Sequence, residues 1–339
     1  MEEAELRRLG SYLEAHLPGF RGLRTAQKFS DGQSNPTYKL RAESGAYVLR
    51  RKPPGELLKS AHAVDREFRV LSALAETDVP VARALHLCSD DSILGAMFYV
   101  MEFVEGRVFW DPSLPGMEPA ERAAIYDQMN VGLAAIHSVD LEAVDLADFG
   151  RAGSYYERQF ATWVRQYRAT ETGSIPAMER IIDWLGANMV ADDGRVSLVH
   201  GDYRLDNVMF APDTPRLIAV MDWELSTLGH PLADLAYQCM LWRMPPGPVL
   251  SGLQGVDRAS LGVPTEEEYV ARYCDRMGLS GIDNWPFYLV FGLFRLAAIV
   301  QGVGYRGLQG NASSDRALQV GALAAPLAEK ACEILDGQG

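Results

Sequence analysis

The chain has 339 residues, more than one compact core uses and enough for two lobes of unequal size. It is 48% apolar and 23% charged, an ordinary globular balance, with a net charge of −13. That sign argues against bulk binding of nucleic acid or of an anionic membrane surface, since both need a basic face.

Residues 3–17 predict an amphipathic helix; they are acidic and lack the basic start and apolar core of a signal peptide. QKFSDGQSNPTYKL, residues 27–40, sets a turn cluster between short extended pieces. AYVLR, residues 46–50, predicts a strand that Pro53-Pro54-Gly55 ends. Val64, Phe68, Leu71 and Leu74 recur at helical spacing over 63–75, and strand-like runs follow near 84–87 and 97–103. Residues 1–104 therefore read as a small lobe of strands with one main helix. The boundary is expected at Val104-Glu105-Gly106, and residues 105–339 read as a larger helical lobe. There Ile125, Met129, Leu133 and Ile136 form a stripe, and helices are expected over 155–170, 176–190, 265–277, 284–301 and 316–335. The fold class is α+β.

Three patterns are set aside. Gly302-Val303-Gly304-Tyr305-Arg306-Gly307 matches GxGxxG but follows a helical run, so it predicts a helix terminator and turn, not a dinucleotide site. Cys88, Cys239, Cys274 and Cys332 have no metal-ligand spacing and read as thiols of a reducing cytosol, so a cytoplasmic location is expected. No uninterrupted run reaches the roughly 18 apolar residues of a membrane span.

A strand-rich island, residues 196–223, holds the chemistry. VSLV leads into His200-Gly201-Asp202, and Asn207 follows just before a second strand, Val208-Met209-Phe210. The turn cluster 211–215 and a third strand, 217–221, return the chain to Asp222. Such a hairpin brings Asp222 beside Asn207, with Asp202 a loop away. Hard oxygen ligands at a strand end suit Mg²⁺ shared with phosphates, and a carboxylate outside the metal shell suits orientation of an attacking hydroxyl.

HGDYRLDN resembles the HGDxxxxN catalytic loop of the aminoglycoside phosphotransferase and choline kinase superfamily, a branch of the protein-kinase-like fold. MDWE and LSTLGHPLADLAY are also similar to that family. The likeness covers nearly the whole chain. It is strongest to the phosphotransferase-like domain found free in bacteria and fused to some acyl-CoA dehydrogenases.

The resemblance implies a bilobal fold and these roles. Asp202 is the catalytic base, and Asn207 and Asp222 hold Mg²⁺. His200 packs the loop, and Asp234 ties it by hydrogen bonds or caps a helix. Arg204 either touches the transferred phosphate or is paired within the chain. Arg50 stands where protein kinases have Lys, with Glu67 as its partner, although Asp65 or Glu56 could take that place. FSDGQSNPTYKL replaces the glycine-rich loop, with Gly32, Ser34 and Asn35 covering phosphates. In MEFVEG, Glu102, Phe103 and Val104 would meet adenine at a hinge. The expected activity is a phosphotransferase moving the terminal phosphate of ATP or GTP to a small-molecule hydroxyl, of a hydroxyacyl thioester or another metabolite. An anionic substrate would need a basic groove, for which Arg151, Arg158, Arg165, Arg168, Arg243 and Arg295 are available. The alternative is a nucleotide-binding pseudokinase acting as a regulatory module.

Overall fold

The computed structural model describes residues 1–29, 35–53, 63–151, 153–309 and 316–337. Helix α1 (Glu3–His16) leads into β1 (Leu23–Lys28), β2 (Thr37–Ala42) and β3 (Gly45–Arg51). After α2 (Val64–Leu74) come β4 (Ala84–Cys88), the single turn α3 (Asp91–Leu94) and β5 (Phe98–Glu102). The strands form one antiparallel sheet in the order β1-β2-β3-β5-β4. Side chains alternate across a strand, so the two faces of this sheet divide the labour. Leu40, Leu49, Phe98 and Val100 pack with Leu9 and Leu13 of α1. Tyr99 points the other way and joins Val70, Leu71 and Leu74 of α2 in the larger core. Arg50 pairs across the sheet with Tyr99, which puts it on the α2 face.

The chain leaves the sheet after Glu102. Arg107 then forms an isolated bridge with Phe210. Gly106 makes that approach possible, since a Cβ there would lie 2.5 Å from the Phe210 carbonyl oxygen.

The helical part begins with α4 (Pro119–His137), α5 (Tyr155–Ala169) and α6 (Pro176–Ala187). Ile125, Met129, Leu133 and Ile136 of α4 are fully buried, each worth about 1.5–3 kcal/mol of apolar burial. The strand island follows: β6 (Ser197–Val199), β7 (Val208–Phe210), β8 (Leu217–Val220) and β9 (Thr227–Gly229). β7 and β8 form the expected hairpin with Val208 opposite Val220, and β6 pairs with β9. The remainder is α7 (Leu232–Trp242), the single turn α8 (Arg258–Leu261), α9 (Glu266–Met277), α10 (Trp285–Leu308), α11 (Ala317–Gly321) and α12 (Ala324–Leu335).

Two expectations fail here. Residues 302–307 do not terminate a helix; α10 runs through them to Leu308. Their glycines serve helix contact: a Cβ on Gly304 would lie 2.7 Å from the Gly321 Cα, and one on Gly307 would lie 3.0 Å from the Ala317 Cβ. Residues 316–335 form two helices, α11 and α12, where one was expected. Helix α10, at 24 residues, is also long and apolar enough to cross a membrane, but 83% of its most apolar stretch is buried within the protein. Helices α5, α6, α7, α11 and α12 pack around it.

Candidate active site

β6 delivers the chain into a loop held from three sides. Asp234, in the first turn of α7, accepts the backbone N–H groups of His200 (2.6 Å) and Gly201 (2.8 Å). Its Oδ2 also lies 3.3 Å from His137 Nε2, and His137 Nδ1 meets the Tyr273 hydroxyl at 2.7 Å. Burial alone would raise the Asp234 carboxyl, but His137, His200 and the Gly201 amide hold it below the usual carboxylate range. Gly201 has φ +85°, and a Cβ there would lie 2.7 Å from the Leu225 carbonyl oxygen. On the third side, Arg295 of α10 donates to the Gly201 carbonyl at 2.8 Å. His200 is a strut: Nε2 bonds the Met221 carbonyl at 2.8 Å, and Nδ1 accepts from the Asp202 amide at 3.2 Å. Those partners set the tautomer and occupy both ring nitrogens.

This frame fixes the carboxylate that follows. Asn207 Nδ2 donates to the Asp202 carbonyl (2.9 Å) and to Asp202 Oδ2 (2.8 Å). The Met221 amide in turn donates to the Asn207 carbonyl at 2.8 Å, so the hairpin closes on the loop as expected. Arg204 lies between two carboxylates. Its Nε is 3.4 Å from Asp202 Oδ1 and its Nη2 is 3.1 Å from Asp206 Oδ2. Burial opposes the Arg204 charge, yet Asp202 and Asp206 outweigh it and hold the guanidinium above its ordinary range.

A second cluster hangs from the sheet. Arg50 Nε lies 2.9 Å from Glu67 Oε2, and Nη2 reaches Asp222 Oδ1 at 2.5 Å and Glu224 Oε2 at 3.4 Å. Arg50 and Glu67 therefore meet, while Asp65 pairs with Lys52. Glu67 also accepts from Asn35 Nδ2 (2.8 Å) and the Tyr99 hydroxyl (3.0 Å). Burial pushes the Glu67 carboxyl up to about 7, against the pull of Arg50. Burial also disfavours the Arg50 charge, but Glu67, Asp222 and Glu224 keep it above the usual arginine range. The asymmetry follows from enclosure: Glu67 is 1% exposed, whereas Arg50 keeps a 13% exposed edge. Asp222 adopts the left-handed region at φ 63°, which costs about 1–3 kcal/mol for a non-glycine residue and turns its carboxylate toward Arg50.

Several expected contacts differ. Asn35 is buried, with its amide on Glu67. Gly32 and Ser34 lie outside the described residues. At the hinge, the Glu102 amide already donates to Arg83, and the Glu102 side chain pairs with Arg83. Phe103 and Val104 lie just beyond the strand end, with Lys39 Nζ 3.5 Å over the Phe103 ring. The arginines proposed for a basic groove are dispersed. Arg168 pairs with Glu179, Arg243 with Glu266, and Arg158 donates to the Arg151 carbonyl. Glu224 escaped the sequence reading, although an acidic residue two places after Asp222 was a signal for it.

A cavity of about 500 Å³ opens beside the loop, with Trp110, Tyr126, Arg204, Asp206, Trp242 and Arg316 in its wall. The charged residues of its lining are two arginines and two aspartates (the other is Asp111). Among the described residues, no group of three or more His, Cys, Asp or Glu side chains could hold a metal by itself. The donor set nevertheless fits Mg²⁺ shared with phosphates. Asn207 uses its amide nitrogen on Asp202, which leaves its oxygen for a cation, and Asp222 already attracts one in Arg50.

The chain is similar to several known proteins. A candidate aminoglycoside phosphotransferase from Ralstonia eutropha is 49% identical and superposes with a TM-score of 0.89 over 98% of each chain. The aminoglycoside phosphotransferase APH(4)-Ia shares the fold at TM-score 0.64 and 16% identity, over 98% of this chain and 99% of its own. Mouse acyl-CoA dehydrogenase family member 10 is 50% identical over 96% of this chain and 31% of its own length. Human family member 11 is 42% identical over 96% of this chain and 42% of its own. The chain thus spans about a third to two-fifths of the length of these two relatives. The model of the phosphotransferase enzyme family matches residues 25–273, and the chain belongs to that family.

Proposed function

We propose that this protein transfers the terminal phosphate of ATP or GTP to a hydroxyl of a small molecule, with Asp202 as the base. The observation that carries the reading is the hydrogen bond from Asn207 to Asp202 Oδ2, which leaves Oδ1 directed toward Arg204. A carboxylate steadied in this way accepts the proton of an attacking hydroxyl without reorganising. In this reading Asn207 and Asp222 hold Mg²⁺, which when bound neutralises phosphate charge. Arg50 exchanges Asp222 for nucleotide phosphates while keeping Glu67. Arg204 supplies a cation on the acceptor side. Phe103 and Val104 flank the adenine.

The cavity beside Arg204 supports an acceptor of mixed character. Equal numbers of guanidinium and carboxylate groups give no negative field to draw a polycation, and aromatic walls favour an apolar body. This weighs against an aminoglycoside and for a metabolite alcohol such as a hydroxyacyl thioester, in keeping with the names of the longer relatives. The test is a metabolite extract incubated with Mg·ATP or Mg·GTP and screened for a gain of one phosphate. A compound phosphorylated by the wild type and not by Asp202→Asn is expected. The second reading, a nucleotide-binding module without turnover, draws on Arg50 in place of Lys and on the single glycine in the phosphate loop. Tight nucleotide binding with neither transfer nor hydrolysis decides for it.

A further inference from the structure

Asp206 is the charged member of HGDYRLDN without a part in the scheme above. It follows Arg204 by two residues and precedes Asn207, in the single 3-10 turn Leu205–Asn207. Its side chain is only 13% exposed. A carboxylate so enclosed is costly unless a cation answers it, and Arg204 does, at 3.1 Å. The pair lines the cavity of about 500 Å³.

The same guanidinium faces the base. Arg204 Nε stands 3.4 Å from Asp202 Oδ1, yet it is a buried donor that makes no hydrogen bond. Arg204 is therefore held more closely by Asp206, while its longer ion pair with Asp202 carries no hydrogen bond. A buried donor left unmatched is destabilising, and Arg50 and Arg51 carry such an Nε as well. In Arg204 the unmatched N–H lies beside the carboxylate read as the base. Without Asp206, Asp202 becomes the nearest described counter-charge, and the guanidinium would close on it as a direct ion pair.

We infer that Asp206 is a positioning residue: by anchoring Arg204 it holds a cation beside Asp202 while keeping Asp202 free for the acceptor hydroxyl. This rests on the reading of Asp202 as base. In this inference Asp206 acts through Arg204.

The test uses the full chain with Mg·ATP as probe and water as acceptor, followed as phosphate release. Four proteins are compared: wild type, Asp206→Asn, Arg204→Met and the double variant. Asp206→Asn is expected to lower turnover by about tenfold or more, because misplacing a positioned group acts on the rate. Its KM for ATP should stay within about twofold of wild type, and the double variant should match Arg204→Met within about twofold, the signature of two residues acting as one. Asp206→Glu should recover most of the rate. Two results overturn the inference: Asp206→Asn turning over like wild type, or Asp206→Asn slowing the Arg204→Met protein by the same factor as it slows wild type. The second would mark a general structural role. If Asp206→Asn does not fold, Asp206→Ser measured with and without Arg204→Met replaces it under the same criteria. A wild type that releases no more phosphate than Asp202→Asn is a different failure: it removes the reading of Asp202, and this inference with it.

Discussion

Replacing Arg50 with Met removes the cation paired with Glu67 and keeps most of the apolar stem. Glu67 is 1% exposed, so solvent cannot stand in for the guanidinium. Breaking a buried ion pair costs about 3–5 kcal/mol when the remaining partner stays charged. Glu67 can escape part of that cost by taking up a proton. With Arg50 present its carboxyl already sits at about 7, above the ordinary 4.5, and loss of the cation moves it higher. A carboxyl whose folded value exceeds its unfolded value binds protons preferentially in the folded state, so stability falls as pH rises between the two. In the wild type that fall ends near pH 7. In Arg50→Met it continues above pH 7. With Glu67 of the variant protonated to above pH 8, the gap between the proteins should therefore widen by only about 0.4 kcal/mol between pH 6 and 7 and by about 1 kcal/mol from pH 7 to 8. Urea unfolding at the three pH values measures it. A gap that stays constant or narrows above pH 7 refutes the assignment of Glu67 as the buried, raised carboxyl.

Three further outcomes are expected. Gly201→Ala places a Cβ 2.7 Å from the Leu225 carbonyl oxygen and imposes a left-handed conformation worth about 1–2 kcal/mol, so calorimetry should show a lower Tm and transfer should slow. Asp234→Asn offers one oxygen to the two amides of His200 and Gly201, leaving a buried donor unmatched at a cost of about 1–3 kcal/mol. Because the Asp234 carboxyl is held below its ordinary value, its contribution is complete above 3.8 and lost as pH falls through the depressed value. The difference between wild type and Asp234→Asn in urea should accordingly shrink in acid. Asp222→Ala should weaken Mn²⁺ binding in the presence of ATP, read by electron paramagnetic resonance, by at least the roughly tenfold that loss of even an outer partner costs.

Much of the site was legible because its residues are close in sequence. His200 through Asn207 and the hairpin to Asp222 depend on turns and two short strands, which local patterns report well. Arg50 was legible for a similar reason, since AYVLR marks a strand whose last residue faces the cleft. The bond from Asn35 to Glu67 was not legible, because the two lie 32 residues apart and pattern says nothing of which polar group a buried carboxylate recruits. The convergence of Arg50 on both Asp222 and Glu224 joins residues more than 170 positions apart and needed the fold. The end of α10 was hidden by its glycines. Local propensity counts Gly302, Gly304 and Gly307 as breakers, whereas the close approach of Gly304 to Gly321 and of Gly307 to Ala317 favours small residues at those two positions. The cavity gathers Trp110, Tyr126, Arg204, Trp242 and Arg316 from distant segments, so no spacing could announce it.

The central claim is that Asp202 takes the proton of the acceptor hydroxyl. It is tested most directly by single-turnover transfer of the γ-phosphate from Mg·ATP, with water as acceptor where no metabolite is supplied, in wild type and Asp202→Asn. The expected result is a rate about 10²–10⁴-fold lower in the variant with nucleotide affinity unchanged. Equal rates in the two proteins at equal nucleotide occupancy would contradict it.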